Sequence, residues 1–218
     1  MSIRPLIVAS AMVASGMALV SAIALTRLPP GTMLPTHWNA AGQADGFAEA
    51  GYALFLPVVM TVAVSAMMAA LPRIEPLQTN LEGSAPLFRA AWAGILALFV
   101  GVEAMVAGPA FGWTPPGSLM LVGLGFFLIA IGNTLPKSRP GFFVGIRTPW
   151  AIMDTDNWIA THRFGGWLFA GTGLGIVIVA LLPMSAEQRG GIVTTALLSA
   201  ALTPVAFSYF RWRVTRSR

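Results

Sequence analysis

Six apolar runs, each about as long as the hydrocarbon core of a bilayer is thick, constrain this chain more than any other feature. The first holds about 22 uncharged residues between Arg4 and Arg27, enough to cross roughly 30 Å at about 1.5 Å per residue. The others run from Tyr52 to Leu71, from about Ala90 to Gly108, from Ser118 to Leu135, from Phe164 to Leu182 and from Gly191 to Phe210. With 56% of 218 residues hydrophobic and 10% charged, a soluble domain is excluded. The expected fold is an all-α integral membrane protein with six transmembrane helices. A cleaved signal peptide competes for the first run, since Ser21-Ala22-Ile23-Ala24 offers small residues, but the run exceeds the usual signal length and a retained span is expected. Pro57 should kink the second span and Pro204 interrupt the sixth. Gly94, Gly101 and Gly108, seven residues apart, suggest one close-packing stripe, and Gly171 with Gly175 a second.

Lysine and arginine are retained on the cytoplasmic side of membranes, so their distribution sets the orientation. With both termini inside, Arg4, Arg73, Arg89, Lys137, Arg139, Arg147, Arg163, Arg211, Arg213, Arg216 and Arg218 are cytoplasmic, and Arg27 and Arg189 lie outside. The net charge of +5 therefore reads as topology rather than as a nucleic-acid surface, and no direct nucleic-acid partner is expected. The absence of cysteine excludes disulfides and thiolate chemistry. No linker separates soluble domains, and the expected division is a two-span region, 1–72, followed by a four-span region, 73–218.

The loop after the first span, Leu34 to Phe47, falls outside under this orientation. Trp38 and Phe47 suit the headgroup level, Gly42 and Asp45-Gly46 suit turns, and His37, Asn39 and Asp45 can converge on a cation or a peptide. The plainer alternative has the aromatics anchoring the loop and the polar groups capping its turns. A metal is not expected, because His37 and Asp45 lack a third ligand and His162 lies on the other face. The loop is expected to be a peptide-binding surface made of His37, Trp38, Asn39, Gly42, Asp45 and Gly46.

The long polar interval between Gly132 and Gly166 falls on the cytoplasmic side. Asn133 closes the fourth span with an amide that calls for partners, and Gly141 to Gly145 suit a short re-entrant or interface-lying piece. Arg147 is expected in an ion pair with Asp154 or Asp156, or on a lipid phosphate. Thr148-Pro149-Trp150 breaks regular structure, Thr155-Asp156 offers a helix start, and Trp158 and His162, four apart, share a helical face. An amphipathic connector lying on the inner leaflet is the competing account. Glu103 is the one acid inside a span, a functional candidate by default, and its place near the outer end lets it reach water.

The outer segment reads Leu34-Pro-x-His-Trp-Asn-x-x-Gly-x-x-Asp-Gly46, and the inner one carries Gly132-Asn133, Gly145-Ile-Arg-Thr-Pro-Trp150, Trp158 and Thr161-His-Arg163. In motif order and span number this resembles the SdpI family of bacterial membrane proteins, with that family's N-terminal HWN-containing domain of unknown function. Gly141 and Ala151 depart from the pattern, which more often has asparagine and threonine there. The resemblance implies a six-span protein of the bacterial cytoplasmic membrane giving immunity, or resistance, to a secreted antimicrobial peptide toxin of the bacteriocin type. It also implies signal transduction through a cytoplasmic transcriptional repressor, with Asn133, Gly145, Arg147, Thr148, Pro149, Trp150, Trp158, His162 and Arg163 as the docking motif and membrane lipids as further partners. No Ser/His/Asp order, HExxH motif or paired membrane carboxylate is present, so neither an enzyme nor a cofactor is expected. The alternative is a small transporter or lipid-handling membrane protein.

Overall fold

Apolar runs with no other way to satisfy their backbone in lipid become helices, and they do so here. The computed structural model describes residues 1–216, so Arg218, counted above with the C-terminal arginines, lies outside the described residues. Helix α1 (Arg4–Arg27) leads into an antiparallel ribbon of β1 (Met33–Trp38) and β2 (Ala44–Glu49), and α2 (Ala50–Ile74) follows without a break. Next come short α3 (Gln78–Gly83), α4 (Ala85–Ala107) with a 3-10 turn at Gly108–Phe111, and α5 (Ser118–Thr134) with a second 3-10 turn at Leu135–Lys137. One-turn α6 (Pro149–Ile152), α7 (Thr155–Leu181) and α8 (Ala186–Arg216) complete the described chain. Among the described residues, six of these helices are long and apolar enough to cross a membrane. The protein is a helical multi-pass membrane protein, and its one ribbon sits where a plain loop was expected.

Between helices in lipid no hydrophobic force operates, so small residues and hydrogen bonds must hold the bundle together. The tightest crossing is α5 on α7. A side chain at Gly132 would put its Cβ 2.5 Å from Ala170 N, and one at Gly125 would sit 2.6 Å from Gly173 O. Gly166 and Gly173 answer from the other helix, so both helices use glycines seven residues, or two turns, apart. The two expected stripes are not this seam. Gly94 does pack, against the Phe127 ring, but Gly101, Gly171 and Gly175 have nothing within 4 Å of an added Cβ and face outward. Pro204 does not interrupt its helix either, because α8 continues through it, with the buried ring close to Gly165.

Helix α7 begins nine residues before the apolar run does. Asp154 Oδ1 accepts from the N–H groups of Asp156 and Asn157, which makes Asp154 the N-cap in place of Thr155. Residues 155–163 are therefore the first turns of the span and not a connector on the leaflet.

Candidate functional site

At the α2 C-terminus, Glu75 is 3% exposed and aims its carboxylate at an irregular loop far away in sequence. Its oxygens accept from Phe142 N at 3.2 Å, Phe143 N at 3.1 Å and Leu77 N at 3.1 Å. Successive N–H groups turned toward one carboxylate form an anion nest filled by the protein itself. The same loop is tied to α3, where Asn80 Nδ2 donates to Pro140 O, and to the start of α4, where Arg139 N donates to Ser84 Oγ, both at 2.8 Å. The piece expected to be re-entrant is irregular backbone, held from outside by a carboxylate.

Beyond this clamp the Gly145 to Trp150 motif closes over α7. Gly145 has φ +114°, and a Cβ there would lie 2.5 Å from His162 Nε2 and 2.8 Å from the Trp158 ring. That contact explains the glycine: the backbone must lie flat on the stacked Trp158 and His162 rings, whose centroids are 4.0 Å apart. Ile146 N donates to His162 Nε2 at 2.8 Å, so that nitrogen is the acceptor and Nδ1, 2.8 Å from Trp158 O, carries the proton. Trp158 Nε1 reaches Ser138 at 3.3 Å. Thr148 caps α6 and pairs with Ser208 Oγ of α8 at 2.8 Å. Asn157 ties α7 to α8 through Ser208 O at 3.0 Å and accepts from Thr161 Oγ1 at 3.0 Å. Asn157, Trp158, Thr161, His162 and Ser208 are all fully buried. A satisfied network of this kind fixes one arrangement of the helix ends. Pro149 opens α6, and Trp150 packs beside Tyr209 and Trp212 of α8.

At the other end of α2, Asn39 Oδ1 accepts from Ala41 N and Gln43 N, so this side chain shapes the ribbon turn. His37 Nδ1 meets Asp45 Oδ1 across the strands at 2.5 Å, in the open. Gly42, at φ +79°, lies backbone to backbone on Gly117 at the start of α5, where a side chain on either would collide with the other. Gly42 thus has a packing role, while Gly46 gives clearance to the His37 Cβ. Beneath the ribbon lies a cavity of ≈ 540 Å³, roofed by Thr36 to Ala40 and walled by apolar side chains of α2, α4, α5 and α8, among them Pro57, Val102 and Leu124.

Three expectations at single residues are corrected. Arg147 is exposed and makes no ion pair among the described residues; its Nη1 donates to Phe142 O at 3.0 Å. Of its two expected partners, Asp154 is occupied as a helix cap and Asp156 lies in the first turn of α7. Asn133, whose amide was expected to find partners, is exposed with no hydrogen bond among the described residues. Glu103 faces the bundle: it is 3% exposed, its Oε1 accepts from Ser21 Oγ at 2.7 Å, and Oε2 has no partner among the described residues. Sequence reasoning passed over Glu75, Asn157, Ser138 and Ser208. Asn157 and Thr161, four apart like Trp158 and His162, carried a signal; the other three carried none.

A model of the SdpI/YfhL protein family matches residues 137–208, which span the clamped loop, the Gly145 motif and both helices of the buried network. That stretch is similar to the SdpI family over about a third of the chain. A model of a domain of unknown function (DUF1648) matches residues 12–61, which take in the ribbon. Among curated proteins, "Immunity protein SdpI" of Bacillus subtilis (strain 168) is 27% identical over 93 residues, 41% of this chain. The match covers 44% of that relative's length, less than half. No solved structure matches. Six apolar helices, with this similarity to a family of bacterial membrane proteins, support a multi-pass protein of the bacterial cytoplasmic membrane.

Proposed function

We propose that this chain is an immunity-type membrane protein that protects its cell from a secreted antimicrobial peptide by binding it and without an enzymatic step. In this reading both termini are cytoplasmic, region 1–72 presents the ribbon outside, and region 73–218 presents the Gly145 motif inside. The observation that carries it is the ≈ 540 Å³ apolar cavity directly under the ribbon. A membrane-active peptide arrives with apolar side chains to bury, and a concave apolar site rimmed by a few polar groups, here His37 and Asn39, suits them. The immunity function named for the Bacillus relative agrees with this. A cytoplasmic repressor is the second proposed partner, docking on the inner face around Arg147 and Trp150.

The test fills the cavity. A peptide-sensitive bacterium expressing the chain is challenged with a panel of secreted hydrophobic peptide toxins, beside the variants Val102→Trp and Leu124→Trp. Protection by the parent chain, lost in both variants at unchanged membrane abundance, is the expected outcome. Protection that persists with the cavity filled overturns the assignment of the site, and no protection against any toxin overturns the function.

A further inference from the structure

Two motif residues, Asn133 and Arg163, take no part in the buried network or the clamp, and both are exposed without a protein partner among the described residues. They line one groove of ≈ 640 Å³ that runs along the α5–α7 seam where Gly132 and Gly166 leave out their side chains. Its walls are Phe126, Ala130, Trp167 and Ala170, while Arg163 and Asn133 stand beside Pro136 at the end of α5. Trp167, one turn beyond Arg163 on the same helical face, is 83% exposed, and Phe126 is 60% exposed. A tryptophan this open, three residues into the apolar run that begins at Phe164, faces lipid close to the headgroup level. No acidic side chain lines the groove to neutralise Arg163.

We propose that the groove binds one anionic phospholipid, with its phosphate on Arg163 and the Asn133 amide and an acyl chain laid along Trp167 and Phe126. The guanidinium fork fits phosphate oxygens in pairs, the amide adds two donors, and a narrow trough floored by glycine accepts a flexible chain. Charge complementarity selects the headgroup, and the apolar trough selects a lipid over free phosphate. The arginine-rich end of the bundle holds Lys137, Arg139 and Arg147 as well, and under the proposed orientation it meets the leaflet that carries anionic lipid.

Native mass spectrometry of the purified chain in a neutral detergent tests this with phosphatidylglycerol, phosphatidylcholine and inorganic phosphate as separate probes. One phosphatidylglycerol should be retained in preference to phosphatidylcholine, and Arg163→Gln should weaken it by roughly fivefold, the contribution of one basic side chain near an anionic surface. Trp167→Ala should weaken both lipids, and Arg213→Gln on the exposed C-terminal helix should change neither. Arg163→Lys, which keeps the charge and loses the fork, should fall between parent and Gln variant, and serves if the Gln variant fails to fold. Unchanged phosphatidylglycerol affinity in both Arg163 variants overturns the proposal. So does inorganic phosphate binding as tightly as the lipid, or a dimer that Trp167→Ala dissociates, which would mean a second copy covers the groove.

Discussion

Replacing Glu75 should release the motif loop, and the size of the effect follows from its bonds. Three backbone donors point at this one carboxylate, those of Phe142, Phe143 and Leu77. Bonds to a charged group contribute about 1.5 to 3 kcal/mol each, and a buried donor left without an acceptor costs about as much. Phe142 is 47% and Leu77 37% exposed, so water reaches their N–H groups once the carboxylate is gone. Counting the Phe143 donor alone, Glu75→Ala should destabilise by about 1.5 to 3 kcal/mol. Glu75→Gln keeps the shape but turns an N–H donor toward the nest, and should cost no more than this, about 1.5 to 3 kcal/mol. For soluble domains of this size a loss of 1 kcal/mol lowers Tm by about 2 to 4 °C, so the Ala variant should show a drop in detergent of about 3 °C or more. Because the chain has no cysteine, Gly141→Cys supplies a local reporter, its Cβ about 3.7 Å from Glu75 Oε2 with room to spare. Its alkylation should be slow while Glu75 is in place and fast in the Glu75→Ala background. Equal Tm and equal alkylation with and without the carboxylate would refute the clamp.

Gly145→Ala should lower Tm in detergent by more than any change at Gly101, because it meets both an unfavourable φ and the His162 and Trp158 rings while Gly101 faces open space. Arg147→Lys and Arg147→Gln should each cost about 0 to 1 kcal/mol, as an exposed side chain with one backbone contact does; a loss of about 3 kcal/mol in thermal melts would restore the buried ion pair. Topology is read by single cysteines at the exposed positions Gln43 and Lys137: Gln43→Cys should react with an impermeant maleimide on intact cells and Lys137→Cys should not, and the reverse would place the ribbon inside.

The spans were legible because length and apolarity suffice to define them, and the sharing of a face by Trp158 and His162 followed from their spacing. What the sequence concealed shares one physical origin. Asn157, Thr161 and His162 look like surface when counted as polar residues, yet each is buried because it satisfies another across α7, α8 and the Gly145 loop. Glu75 bonds to residues 67 and 68 positions away, a separation at which no local pattern exists. Arginine misled in the opposite direction. Its planar fork suggested an ion pair or a phosphate contact at Arg147, but the loop is held by the Glu75 carboxylate and the guanidinium is exposed, free of any ion pair among the described residues.

Helix α2 gives the two family-matched segments a common frame. It begins one residue after β2 and ends one residue before Glu75, so a single run of 25 residues carries the ribbon at one end and the clamp on the motif loop at the other. The ribbon in turn rests on Gly117 at the head of α5, and α5 packs along α7, where the Trp158 and His162 rings carry Gly145. Two independent routes, one through α2 and one through the α5–α7 seam, thus join the ribbon to the inner loop. Small displacements at one end of such a frame have discrete arrangements to choose from only if a packed contact can change partners. The Gly42–Gly117 contact admits no added side chain, and among the described residues Glu75 is the acceptor for both Phe142 N and Phe143 N. Both ends of the frame are thus fixed by specific close contacts, and a change at either end has to break one of them before it can be passed along α2 or the α5–α7 seam.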